Sequence, residues 1–351
     1  MQNRHIYTLA LIALCFLVYS NSLNNSFISD DIPAIVEYPF ISQPLRFWLY
    51  PSAFLNSLNY LIGEYNPFVY HLTNISLHAL NTILVFLFLR LFFQIPASFL
   101  GASLFAVHPI HTEAVTWVSG RPYIILSLFI LSTYLLYQNA TGDGPALGKP
   151  RRVKSFYYLL AFSLFAYFII ENFPFYFLFP FFLILSDITF NRTRRNWKLW
   201  MPFLLIMILR LILARGLIPE RFFSLEQESG IKIAWQNPVF KMAYSVFANL
   251  RLLFWPAGLT LYHEPVVRSY FILKFGTIAL LIFVCALPFI FKKAKVIFLG
   301  IAIFVLFLAP TYSPVLIASL VAERYLYFPS IGLSIAFAFF YEKLKEKYPV
   351  P

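Results

Sequence analysis

An all-α polytopic membrane protein is the fold class this sequence predicts, and three observations predict it. Of its 351 residues, 60% are hydrophobic and 12% charged, where soluble domains carry roughly 45–50% apolar and about 25% charged residues. The apolar residues gather in runs long enough to cross a bilayer as helix, which takes roughly 20 residues. Aromatic side chains make up 20%, with 42 Phe and 22 Tyr, a composition that suits lipid-facing surfaces and interfacial belts. Mean hydropathy, at +0.73, agrees.

The candidate crossings lie near residues 6–22, 70–93, 96–116, 121–138, 155–171, 173–188, 199–217, 238–258, 270–291, 295–310 and 325–341. The first apolar run, Ile6 to Tyr19, leads into Asn21-Ser22-Leu23-Asn24-Asn25 and not into a small-residue cleavage motif, so it reads as a retained crossing. A long polar-to-amphipathic loop, residues 23–69, follows it and carries Asp30, Asp31, Glu37, Arg46 and Glu64. In the second crossing, His71, Asn74, His78 and Asn81 recur at helical spacing and fall on one stripe. Amides and imidazoles cannot face lipid, so that stripe must face the bundle or a wet cavity.

The net charge of +12 sits in short clusters between apolar runs, notably Lys149–Lys154, Arg192–Lys198, Lys292–Lys295 and Lys343–Lys347. These read as topology signals that place the clusters and the N-terminus in the cytoplasm. No continuous basic face exists, which excludes a nucleic-acid partner. Eleven full crossings would put Lys292–Lys295 outside. The segment 238–258, with Arg251, Pro256 and Gly258, is the weakest, and reading it as re-entrant or interfacial leaves ten. The 23–69 loop, the His108–Arg121 region, Glu171, the 218–237 loop and Glu323-Arg324 then share the outer face. Residues 1–351 read as one integral membrane domain. Cys15 and Cys285 both lie in apolar runs and imply neither a disulfide framework nor a thiolate metal site.

Ionisable residues at membrane depth mark function by default. Asp30 and Asp31 suit a general base or a divalent-cation ligand, or else a helix cap before Pro33. His108, His111 and Glu113 are metal-ligand types, but not at the i, i+4 spacing of zinc proteases, which favours a hydrogen-bonded network lining a polar cavity. Glu323-Arg324 suits an internal ion pair or a phosphate clamp, since a guanidinium binds phosphate oxygens in pairs. Glu171 is either a second acid or the end of a crossing. No glycine-rich phosphate loop, nucleophile elbow or catalytic triad is present.

Taken in order, several segments carry a resemblance: Phe27-Ile28-Ser29-Asp30-Asp31, Tyr70–Asn74 with Leu77–Asn81, His108-Pro109-Ile110-His111-Thr112-Glu113-Ala114-Val115 running on to Gly120-Arg121, and Ala322-Glu323-Arg324-Tyr325 running on to Gly332. This set resembles the membrane part of the TMTC-type O-mannosyltransferases, which combine transmembrane and tetratricopeptide-repeat regions, and their bacterial relatives. It spans about residues 20–340 and places the chain with the GT-C glycosyltransferases. It implies a GT-C-like bundle of about 10–11 crossings with a long first extracytoplasmic loop. The implied reaction moves a sugar, mannose or a similar hexose, from a polyprenyl-phosphate donor to an acceptor hydroxyl.

By resemblance, Asp30 is the base with Asp31 behind it, and Arg324, Arg121 and Arg251 hold the donor phosphate. His108, His111 and Glu113, with His71, Asn74, His78, Glu171 and Glu323, shape the sugar pocket or the Asp30 network. Relatives differ in metal use, so a divalent cation is compatible with the site and not required by it. The implied partners are the bilayer, the donor lipid and a protein or glycan acceptor. The family's repeats have no counterpart in this sequence, which leaves open a protein, glycan or lipid acceptor, or a separate partner that presents it. The implied location is a bacterial inner membrane, with the site facing the periplasm. Departures from the family are Ile170, where a Lys is usual, and Tyr123, where an Asp is usual. A non-catalytic lipid-sugar-binding relative and a transporter or flippase are the competing classes.

Overall fold

Every regular element among the described residues is a helix, and the chain is an all-α polytopic membrane protein. So apolar a chain has little choice, since in lipid each backbone N–H and C=O must find its partner within its own segment. The computed structural model describes residues 2–142, 154–168, 174–213, 238–261, 263, 294–312 and 321–348. Ile170, Glu171, the 218–237 loop and the crossing expected at 270–291 lie outside them. The helices are α1 (Gln2–Tyr19), α2 (Pro51–Gly63), α3 (Pro67–Leu89), α4 (Ile95–Val107), α5 (Thr112–Thr116), α6 (Arg121–Thr141), α7 (Lys154–Phe168), α8 (Phe179–Thr189), α9 (Thr193–Leu213), α10 (Pro238–Phe254), α11 (Lys295–Leu308) and α12 (Ile331–Lys347).

Among the described residues five helical stretches are long and apolar enough to cross a membrane: His5–Ser22, Pro67–Leu89, Val118–Thr141, Thr193–Leu213 and Lys295–Tyr312. Three further expected crossings are shorter or displaced, and proline accounts for each. The segment expected to cross at 96–116 is continuous helix only to Val107, because His108 precedes Pro109 and takes an extended conformation (φ −65°, ψ 125°). The backbone then passes through a short 3-10 turn at Pro109–His111, the single turn of α5 and a second 3-10 turn at Val118–Gly120. The segment expected at 173–188 opens as a 3-10 turn at Pro174–Leu178 before the 11 residues of α8. The last crossing starts at Ile331, after Pro329, and not at 325.

Residues 1–171 with 333–351 form one unit, and residues 172–332 form a second. In the first, α3 is the central helix and packs against α1, α4 and α6, while α6 packs against α7. Small residues allow the close approach of α1, α3 and α4, where Cys15, Ala79 and Ala106 share a buried contact. Gly101 of α4 lies against Ser334 and Ala338 of α12, too close for a Cβ. In the second unit α8 packs on α9 and α11, and the rings of Phe182, Phe307 and Phe328 meet with centroids 4.3–6.4 Å apart. Gly332 rests directly on the carbonyl of Gly300, where an added Cβ would stand 2.5 Å from the oxygen.

Candidate active site

The polar stripe of α3 is the frame on which the site is built. Each member is buried, and each binds a backbone carbonyl from a different part of the first unit. His71 Nε2 meets Asn25 O at 3.1 Å, and Asn74 Nδ2 donates to Val115 O and Trp117 O at 3.2 Å each. His78 Nε2 meets Ala106 O at 3.1 Å, and Asn81 Nδ2 donates to Ile124 O at 2.8 Å. A carbonyl only accepts, so both of these imidazole nitrogens carry a hydrogen. Asn74 and His78 thus satisfy carbonyls that the end of α4 and the broken stretch after it leave without helical partners, which a buried backbone requires.

His108 and His111 shape that break. His108 Nδ1 accepts from the N–H of Ile110 at 3.2 Å, capping the turn that follows Pro109. His111 Nδ1 reaches Phe105 O at 2.8 Å, and its ring lies 5.5 Å from that of His78 and 6.0 Å from that of His108. Burial, then the neighbouring His78 and His108, hold the His111 pKa well below the ordinary imidazole value. Glu113 is buried and its carbonyl accepts from Trp117 N at 3.2 Å. Among the described residues no group of three His, Cys, Asp or Glu side chains comes together in a way that could hold a metal ion.

Asp30 and Asp31 are placed very differently. Asp31 is fully buried, and its carboxylate accepts from Ser119 N (2.8 Å), Ser119 Oγ (2.6 Å) and Ile28 N (3.2 Å). Trp117 Nε1 donates to Ile28 O at 3.4 Å beside it, and Ile35, Tyr70 and Val118 form an apolar contact below. Asp31 therefore fastens the first loop to the start of α6. Asp30 is exposed, with Ser29 Oγ donating to its Oδ1 at 3.3 Å. The turn that separates their fates is tight: Ser29 sits at φ +50°, a left-handed conformation rare for a residue with a Cβ, and such strain persists only where surrounding contacts enforce it.

Asp30 lines a cavity of about 380 Å³, within the size range of small-molecule sites. The first loop supplies Tyr38 and Phe47, α2 supplies Ser52 and Asn56, the turn before α6 supplies Ser119, and α6 opens with Arg121. His108, His111 and Glu113 are not in this lining. Arg121 is fully buried and its guanidinium is directed at protein acceptors: Nε to Asn74 Oδ1 (2.7 Å), Nη1 to Asn56 Oδ1 (2.7 Å) and Nη2 to Tyr70 O (3.0 Å). With its amide turned, Asn59 offers Nη2 a further oxygen at 3.0 Å. Sequence reasoning overlooked Asn56 and Asn59 because the 23–69 stretch reads as loop. Their spacing of three residues after Pro51 was the available signal for a helix.

In the second unit Glu323 is buried, and its Oε1 accepts from Thr260 N (2.6 Å) and faces His263 Nε2 (3.3 Å). Burial, then the charges of Arg251 and Arg324, hold His263 below the ordinary imidazole pKa. Arg251 is exposed near the end of α10, and the half-buried Arg324 lies over the Tyr325 ring at 5.1 Å. Two arginines and an imidazole around one engaged carboxylate make a local excess of positive charge suited to an anion. Thr260 and His263 carry no motif, and nothing in the sequence singles them out.

Comparison with known proteins gives relatives of one kind over part of the chain. The chain is similar to the TMTC-type protein O-mannosyl-transferases. It is 37% identical over 154 residues to protein O-mannosyl-transferase TMTC3 of Mus musculus, a match covering 38% of this chain and 16% of that protein. It is 32% identical over 170 residues to TMTC1 of Homo sapiens (41% of this chain, 19% of that protein) and 37% identical over 148 residues to Tmtc1 of Drosophila melanogaster (36% and 17%). The matched stretch spans less than a fifth of each of these TMTC relatives. No family model matches the chain. No solved structure matches it.

Proposed function

We propose that the chain is a membrane glycosyltransferase of the GT-C kind. It moves mannose or a similar hexose from a polyprenyl-phosphate donor to an acceptor hydroxyl at the extracytoplasmic face. The observation that carries this reading is the exposed Asp30 at a cavity whose walls are fixed by the buried Asp31–Ser119 and Arg121–Asn74 contacts. A carboxylate so placed takes the proton from the acceptor hydroxyl as its oxygen attacks the anomeric carbon. The bond from that carbon to the phosphate oxygen breaks, and the phosphate leaves carrying the charge. Arg251 and Arg324 are the groups we assign to phosphate binding, since cations placed at developing negative charge lower such a barrier. Arg121, whose donors are engaged by protein oxygens, is assigned to the cavity wall. The names of the TMTC relatives support the transferase reading, and the protein acceptor in those names is the acceptor class we propose.

The test uses membranes holding the wild type or Asp30→Asn, supplied with a panel of radiolabelled polyprenyl-phosphate sugars and peptide or glycan acceptors. Label should move in the wild type from one donor. The Asp30→Asn variant should fold normally and transfer at least about a hundredfold less, the usual contribution of a general base. Full transfer by Asp30→Asn would sink the assignment of the base.

A further inference from the structure

The cavity beside Asp30 contains an amide whose orientation is decided from behind. Arg121 Nη1 donates to Asn56 Oδ1 at 2.7 Å, and Arg121 is itself held by Asn74 Oδ1 and Tyr70 O. A guanidinium only donates, so it selects the amide oxygen and leaves Nδ2, a double donor, for whatever fills the cavity. One helical turn earlier on the same face of α2, Ser52 also lines the cavity, and its buried Oγ has no partner. Several buried side-chain atoms among the described residues lack a partner, and Ser52 Oγ is the one that belongs to this cavity wall. The rings of Tyr38 and Phe47, 5.7 Å apart, and the side chains of Ile41 and Val118 make the remaining wall largely apolar.

From this geometry we infer that the cavity holds a saccharide ring and that Asn56 Nδ2 is the donor that recognises one of its hydroxyl oxygens. A hexose presents apolar C–H faces to aromatic rings and hydroxyls at its rim, which matches apolar walls with Asn56 and Ser52 set among them. Asn56 is then a specificity-determining residue, and Arg121 a positioning residue that acts only through Asn56. The inference rests on the transferase reading for its chemistry, but its test does not need transfer to occur.

The decisive variant is Asn56→Asp. It keeps an oxygen for Arg121, now as a charged pair, while replacing the ligand-facing NH₂ by a second acceptor. The fold therefore survives, and the recognition does not. The full chain in nanodiscs is titrated with methyl mannoside, methyl glucoside and methyl galactoside by saturation-transfer NMR, alongside thermal melting without ligand. One hexoside should bind the wild type, and Asn56→Asp should bind it about tenfold more weakly or not at all with no fall in melting temperature. In a transfer assay Asn56→Asp should raise the donor KM more than it lowers kcat. Arg121→Lys, which frees the amide to turn, should blur the preference among the three hexosides. Unchanged hexoside affinity in Asn56→Asp, or no hexoside bound by the wild type, overturns the inference, as does a loss confined to kcat. Loss of binding in Asn56→Asp together with full transfer in Asp30→Asn would instead retain the saccharide site and remove the assigned base.

Discussion

Asp31 Oδ1 accepts both the backbone N–H and the hydroxyl of Ser119, a residue 88 positions further along the chain. The contact is buried, and it ties the first loop to the turn that opens α6. Two adjacent aspartates that look interchangeable in sequence therefore separate into one that fastens and one that faces the cavity.

Asp31→Ala should leave Ser119 N and Ile28 N without acceptors in a closed environment. The expected cost is roughly 1–3 kcal/mol per stranded donor, read as a fall in melting temperature of the detergent-solubilised chain. Ser119→Ala, which keeps the backbone bond, should cost less, on the order of 1 kcal/mol. Equal melting of Asp31→Ala and wild type would contradict the fastening role.

Gly120 sits where its missing side chain matters most. An added Cβ would lie 2.9 Å from Ala114 Cα, Ala114 O and Glu113 O, all backbone atoms that cannot swing away. Gly120→Ala should thus destabilise by about 1–3 kcal/mol, the usual cost of overpacking, and shift Ser119 and Arg121 with it. Gly258→Ala is the control: it has open space around it, and its strain comes only from φ +72°. It should cost about 1 kcal/mol.

Arg121→Lys replaces a planar fork bound to Asn74, Asn56 and Tyr70 by a single ammonium that cannot reach all three. Leaving buried acceptors unsatisfied should cost roughly 2–4 kcal/mol, measured by chemical or thermal unfolding. Because Lys keeps the charge and Met does not, a loss in Arg121→Lys as large as that in Arg121→Met would rule out charge alone as the reason for the residue.

Acid should weaken the first unit through His111. Its folded pKa lies well below the ordinary imidazole value, so the unfolded chain binds the proton first as pH falls. The stability that neutral His111 confers is complete above about pH 6.5, the unfolded imidazole value, and drains away as pH drops further below it. Melting temperature recorded between pH 7.5 and 5 should fall, and His111→Asn should flatten that dependence from a lower starting point. An identical slope in the variant would assign the effect to other groups.

Much of this arrangement was legible from residue types alone. The periodicity of His71, Asn74, His78 and Asn81 gives a buried polar stripe, because amides and imidazoles have nowhere else to go in an apolar chain. Its partners were not legible, since backbone carbonyls freed by the His108-Pro109 break leave no mark on side-chain chemistry. Hydropathy likewise reads 96–116 as one crossing, because a mean over a window is blind to a single proline that ends α4 at Val107. Arg121 read as a ligand for phosphate, and only the positions of Asn56 and Tyr70 reveal that its donors are engaged by the protein. α2 was hidden because its 13 residues are too few to cross and lie in a stretch that reads as loop.

The long span between Asp31 and Ser119 also sets a clock. A ribosome adding roughly 5–20 residues per second takes about 4–18 s to travel those 88 positions. Throughout that interval the acidic turn has been synthesised and its clasp has not. The wall carrying Tyr38 and Phe47 and the wall carrying Ser119 and Arg121 are made at opposite ends of the delay. A nascent chain halted before α6 would have the aspartate of the site but no enclosure around it, so the cavity cannot close before the first turn of α6 is made.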